Sequence, residues 1–233
     1  MPPRRFSPSL VKETKPVPGA IIIGAGPGIG VSVARRFARA GFPIGVVARS
    51  RPTVDAAVAA LAENNVDTHG ATADAADESS LRAALDELVG QLGVPDVVVY
   101  NAAVIQWDAI GELTVAEHLA AWAVNVVGAI TTAAHLLPRI AEAGEGTFII
   151  TGGMPTPDPG VTSLSLGKAG VRALAELLET RFGPTGVHVA TVTVAGAVAP
   201  GTDFDPDAIA EQYWRLHNQP PNEWDREVTY TGR

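Results

Sequence analysis

Gly19-Ala-Ile-Ile-Ile-Gly-Ala-Gly-Pro-Gly-Ile-Gly30 is an apolar run ending in closely spaced glycines, the pattern of a buried strand that turns tightly into a helix. Gly24, Gly28 and Gly30 carry no Cβ, so the turn can adopt positive φ and lie against a flat anionic ligand. Val31 to Ala40 continues with helical spacing and brings a helix N-terminus, with its unpaired N–H groups, to the same point. The stretch therefore predicts a dinucleotide site. Its spacing is G-x-x-x-G-x-G; the G-x-G-x-x-G form fails because Ile29 stands where the third glycine belongs.

Outward from this turn, Val/Ile-rich runs alternate with Ala/Leu-rich amphipathic ones, the βαβ rhythm of a parallel sheet covered on both faces. Strands are expected near 20–24, 44–48, 66–72, 96–101, 147–151, 187–194 and 226–230, and helices near 28–40, 53–64, 78–91, 113–138, 162–182 and 206–217. The expected fold is α/β: one Rossmann-type doubly wound parallel sheet in three layers, spanning 19–233. Residues 1–18, rich in proline and locally basic, are expected to form an N-terminal arm outside it.

The chain has 233 residues, 46% of them hydrophobic, enough for one full core. A formal charge of -8 argues against a nucleic-acid groove or an anionic membrane surface, both of which need clustered cations. With no cysteine there are no disulfides or thiolate metal sites, and His188 has no paired ligand spacing, so no metal is expected. No apolar run reaches the ~20 residues of a membrane span, and the first 19 residues lack the apolar core of a signal peptide. The expected setting is the cytoplasm.

At the end of the second expected strand stand Ala48, Arg49, Ser50 and Arg51. A ribose 2′-hydroxyl calls for a carboxylate here and a 2′-phosphate for a guanidinium, so the residues favour NADP(H) over NAD. Asp74 ends the third strand and can accept from an adenine amino group, whereas Asp77 suits the cap of the next helix. The fourth strand leads into Asn101-Ala-Ala103.

The glycine loop, Arg49, Asp74 and Asn101-Ala-Ala103, taken in order, resemble the short-chain dehydrogenase/reductase family, and the resemblance runs from Gly19 to Arg233. It implies an NADP(H) site made by Gly24, Gly26, Gly28, Ile29, Gly30, Arg49, Ser50, Arg51, Asp74, Ala75, Asn101, Ala102, Ala103 and Lys168, with Gly196 and Val198 beside the nicotinamide carboxamide. It also gives Asn125 the family role of holding a water that links the active-site lysine to a proton relay.

Two positions depart from the family. Its substrate-orienting serine matches Gly152 or Gly153, with Thr151 the nearest hydroxyl, and its Tyr-x-x-x-Lys reads here as Leu164-Ser-Leu-Gly-Lys168. Four residues make about one helical turn, so Leu164 and Lys168 share a face, but leucine has no proton to give. Three readings follow: hydride transfer to or from a small carbonyl, imine or enone, with a proton from water, Thr151, Ser163 or Ser165; NADP(H) binding without turnover, as a partner subunit or sensor; or another nucleotide altogether. Tyr213, Trp214 and His217 lie on a helix that either closes the core or lines the pocket, where His217 could replace the missing acid. The family builds its interface from the helices matching 113–138 and 162–182, and Ala169, Gly170 and Ala173 permit close approach there, so a homodimer or homotetramer is expected.

Overall fold

The computed structural model describes residues 19–232, so the expected N-terminal arm lies outside the described residues. Seven strands form one all-parallel sheet: β1 (Ala20–Ile23), β2 (Ile44–Ala48), β3 (Thr68–Thr72), β4 (Val97–Tyr100), β5 (Gly146–Gly153), β6 (Val187–Val194) and β7 (Glu227–Tyr230). Their order across the sheet is β3-β2-β1-β4-β5-β6-β7. Successive strands are added to one side of β1 as far as β3 and to its other side from β4 onward, and at such a switch point the loops leaving adjacent strands part to open a crevice.

The helices are α1 (Ile29–Arg39), α2 (Arg51–Leu61), α3 (Glu78–Leu92), α4 (Val115–Trp122), α5 (Gly128–Ala143), α6 (Thr162–Phe182) and α7 (Pro206–His217). Alternation along the strands supplies two cores. Ile21, Ile23, Val98 and Phe148 face α3, α5 and α6 through Leu81, Leu85, Leu136, Leu137 and Ile140; Ile22, Val46, Val97 and Ile149 face α1, α2 and α7 through Phe37, Leu61, Ile209 and Leu216. A fully buried aliphatic side chain contributes about 1.5–3 kcal/mol, so a one-residue slip of any central strand is strongly opposed.

Local chemistry sets most helix starts. Ser50, Asp77, Thr114 and Asp205 each accept a hydrogen bond from the first turn of α2, α3, α4 and α7, and Thr114 with Glu117 forms a reciprocal capping box. The helix expected over 113–138 is interrupted: a π-helical turn, Ala123–Val127, separates α4 from α5. Beyond it α5 runs through Pro138 to Ala143 and stops at Gly144, whose φ of 88° only glycine takes readily. Residues 115–143 together are long and apolar enough to cross a membrane, but 56% of their most apolar window is buried inside the fold, as in a core helix.

Candidate active site

At the switch point the first glycine turn and the β4 exit pack backbone to backbone. Gly24 has φ 88°, and a Cβ there would lie 2.5 Å from the Ala102 nitrogen. One at Gly30 would overlap the Gly24 carbonyl, so Gly30 seats α1 against the turn and leaves the ligand face to its neighbours. Asn101 locks the two loops together by donating from Nδ2 to the Gly24 carbonyl at 2.8 Å.

A cleft of about 1570 Å³ opens here along the C-terminal ends of the strands. One end is lined by Gly24, Gly26, Pro27, Gly28, Ile29, Arg49, Ser50, Thr53, Ala73 and Ala75, and the other by Asn101, Ala102, Ala103, Thr151, Gly152, Gly153, Leu164, Lys168, Gly196 and Val198. Three features at the first end fit a dinucleotide. No side chain caps the N-terminus of α1, and its first turn carries no acid. Arg49 is exposed in the cleft without an ion pair among the described residues, and Ala48 leaves no carboxylate to repel a phosphate.

Some residues expected in the site are engaged with neighbours, and Arg51 and Asp74 lie outside the cleft lining. Arg51 begins α2 and pairs with Asp55 at 2.9 Å, outside the cleft lining. The Ser50 hydroxyl lies 2.8 Å from that of Thr53 and accepts from its N–H. Asp74 turns its carboxylate back to the Ala76 N–H at 2.9 Å, leaving Ala73 and Ala75 as the wall.

The floor at the other end is built by β5 and α6. β4 pairs with β5 only as far as Ile150, so the carbonyls of Thr151 and Gly153 have no strand partner on that side. Lys168 takes the first at 2.6 Å and Arg172 the second at 2.8 Å. Lys168 is buried, and desolvation together with the Arg172 charge lowers its ammonium to about 8. Leu164 lies one turn earlier on the same helix and also lines the cleft. Gly152 and Gly153 now separate: a Cβ on Gly152 would run into Thr193, whereas one on Gly153 meets the Lys168 side chain at an ordinary 3.6 Å.

Of the hydroxyls proposed as proton sources, those of Thr151 and Ser165 are engaged, and that of Ser163 has no hydrogen-bond partner among the described residues but is buried away from the cleft lining. Thr151 donates to Asn101 Oδ1 at 2.8 Å and therefore accepts from Tyr213 at 2.7 Å, a buried chain tying β4, β5 and α7 to the glycine turn. Ser165 donates to the Asp158 carbonyl and accepts from its N–H. Ser163 is buried outside the lining; its N–H donates to Asp108, whose carboxylate caps α6 from the loop after β4. The Asn125 side chain is held by Val104 through both its oxygen, at 2.7 Å, and its amide, at 3.2 Å. Asp108 left no legible signal in the sequence, because its partner is 55 residues away.

Tyr213, Trp214 and His217 do not line the cleft. Tyr213 is wholly buried, and His217 bonds Thr147 at 2.9 Å at the start of β5, the far end of the sheet, among Phe37, Phe42 and Trp214. His217 as a substitute acid is therefore excluded by position. Burial instead lowers its pKa to about 4. A depressed histidine pKa means that the unfolded chain binds the proton better. The stabilisation is complete above about 6.5 and is lost as pH falls toward 4, by at most about 3 kcal/mol. In urea melts across that window, His217→Gln is expected to flatten the acid-side loss of stability relative to the parent chain.

Residues 19–208 match the short chain dehydrogenase family, and the chain belongs to it. The chain is thus an oxidoreductase of the short-chain dehydrogenase/reductase type, with a nicotinamide-dinucleotide fold. Among its relatives, oxidoreductase asL5 of Sarocladium schorii is 29% identical over 86% of this chain and 79% of its own. The 3-oxoacyl-[acyl-carrier-protein] reductase FabG of Staphylococcus aureus is 27% identical over 87% and 82%. In structure, the alcohol dehydrogenase of Thermococcus sibiricus complexed with 5-hydroxy-NADP superposes with a TM-score of 0.83 at 24% identity, covering 91% of this chain and 95% of that one. A metagenomic short-chain oxidoreductase in complex with NADP gives 0.81 at 22%, covering 91% and 96%.

Proposed function

We propose that the chain is an atypical NADP(H)-dependent oxidoreductase that moves hydride to or from a small organic substrate, a carbonyl or an imine or enone, without the family's tyrosine acid or its serine. One observation supports the reading: a single cleft joins Arg49, which has no ion pair among the described residues and suits a 2′-phosphate, to Lys168 on the floor of its other end. Arg49 and the open N-terminus of α1 would hold the phosphates, Lys168 the nicotinamide ribose, and Gly196 and Val198 the carboxamide. Bound there, the cofactor would supply hydride chemistry. Ile105, Trp107, Met154, Val161 and Leu164 line the substrate side, so the chain contributes an apolar wall that selects an apolar body and excludes water.

A second reading, a catalytically silent NADP(H)-binding subunit or sensor, is favoured by Leu164 and by the engaged hydroxyl of Thr151. Oxidation of NADPH against a panel of ketones, enones and imines separates the two. Turnover of any member supports the enzyme; tight NADPH binding with none supports the silent subunit.

The net charge of -8 supports a cytoplasmic setting with a small-molecule partner, and neither nucleic acid nor membrane. We further propose a homodimer or homotetramer. Val115, Leu119, Leu166 and Leu177 are exposed on α4 and α6, and Trp122 between these helices packs on Gly170, an apolar face that a second copy would bury. Size-exclusion chromatography with light scattering is expected to give twice or four times the chain mass, and Leu119→Glu to shift it toward one.

A further inference from the structure

We infer that Lys168 is itself the proton donor of this site, delivering a proton from Nζ to the substrate heteroatom as hydride reaches the adjacent carbon. The inference rests on the oxidoreductase reading above.

Position and elimination support it. Lys168 lines the cleft on the β5 side, one turn beyond Leu164, which occupies the place of a tyrosine acid and holds no transferable proton. The Thr151 hydroxyl has its one hydrogen on Asn101, Ser165 has its own on Asp158, the unpartnered Ser163 hydroxyl is buried outside the cleft lining, Asn125 is held at both side-chain atoms by Val104, and His217 lies at the opposite end of the sheet. An ammonium carries three hydrogens. The Thr151 carbonyl takes one of those on Lys168, and two remain for the cleft.

The surroundings make the ammonium a usable acid. On α6 the charged neighbour is Arg172, engaged with Gly153; β5 presents the Thr151 carbonyl and Gly153; the π-helical turn presents neutral Asn125; and Asp158, on the loop between β5 and α6, lines the same cleft. Burial and Arg172 bring Lys168 to about 8, where proton transfer near neutral pH is efficient. In the reducing direction a bound NADPH would supply hydride to carbon as the C=O or C=N π pair moves onto the heteroatom, and a proton from Nζ completes O–H or N–H. Lys168 is left as a neutral amine and regains its proton from water. Oxidation reverses each step.

The test pairs kinetics with a direct titration. Single-turnover reduction is followed across pH for the parent enzyme and for K168R, which keeps the cation but does not titrate in this range. NADPH binding is measured alongside. In the cofactor-free protein, the ¹³Cε resonance of Lys168, assigned by its loss in K168R, is titrated by NMR. The expected results are a parent rate falling tenfold per pH unit above about 8, no such limb in a K168R enzyme slowed about 10²–10⁴-fold, and an NMR midpoint near 8. A limb that persists unchanged in K168R, or an NMR midpoint near the ordinary value of about 10.4, overturns Lys168 as donor while leaving the enzyme reading intact. Absence of parent turnover with any ketone, enone or imine, with NADPH bound, overturns both.

Discussion

Leu164→Tyr combined with Gly153→Ser is expected to raise ketone reduction by about 10²–10⁴-fold, the usual contribution of a positioned acid. The site has room for both. Leu164 lines an open cleft of about 1570 Å³, so a ring extending from it meets space and not a packed core. It stands four residues before Lys168 on α6, the separation that puts two side chains on one helical face. A Cβ at Gly153 meets nothing closer than 3.6 Å, so serine can be added there; at Gly152 the same change would collide with Thr193. Steady-state NADPH oxidation with a ketone and with a preformed iminium substrate measures the effect. The ketone should gain most, because an oxyanion that needs a proton develops there, whereas hydride addition to an iminium gives a neutral amine. An unchanged ketone rate, with NADPH binding intact, would show that the phenol position is not what limits this enzyme.

Arg49→Asp is expected to reverse the cofactor preference. A charge-assisted hydrogen bond contributes about 1.5–3 kcal/mol, so removing the guanidinium costs NADPH about 10–100-fold in affinity, and the new carboxylate adds repulsion against the 2′-phosphate. The same carboxylate can accept from a ribose 2′-hydroxyl, so NADH should bind better than before. Arg49 has no ion pair among the described residues and is exposed, so the change leaves the fold undisturbed. Fluorescence titration with each cofactor gives the ratio. Arg51→Asp serves as the contrast: its side chain is already engaged with Asp55 outside the cleft lining, and the cofactor ratio should stay near that of the parent.

The positions of the strands and helices and the parallel sheet they build were legible because each strand is a short apolar run and each helix carries one apolar face, patterns that depend on neighbouring residues alone. The cap at Asp77 was legible for the same reason. What escaped depended on distant partners. The π-helical turn at Ala123–Val127 has no local composition to mark it, and it alters the helix that carries Asn125. His217 lies on a helix that reads more simply as closing the core than as lining a pocket, and contact with Thr147, Phe37 and Phe42 puts it at the wrong end of the sheet for catalysis. Thr151 looked like a free hydroxyl because Asn101 and Tyr213, its partners, are 50 and 62 residues away. The glycine turn was the most readable part of the site, since backbone geometry there allows few alternatives. Even so, its residues divide between roles: Gly24 and Gly30 are required by packing, and Gly26, Gly28 and Ile29 face the cleft.

Hydride transfer in a site without a tyrosine acid is measured by isotope transfer from labelled NADPH. The wild-type protein is incubated with NADPH deuterated at the nicotinamide C4 and with each member of the ketone, enone and imine panel, and the products are analysed by mass spectrometry. Deuterium bound to carbon is expected in at least one product, in amounts matching the NADPH consumed and sharply reduced in K168R. NADPH held tightly by the protein, with its label retained and no deuterated product from any substrate, would contradict hydride transfer.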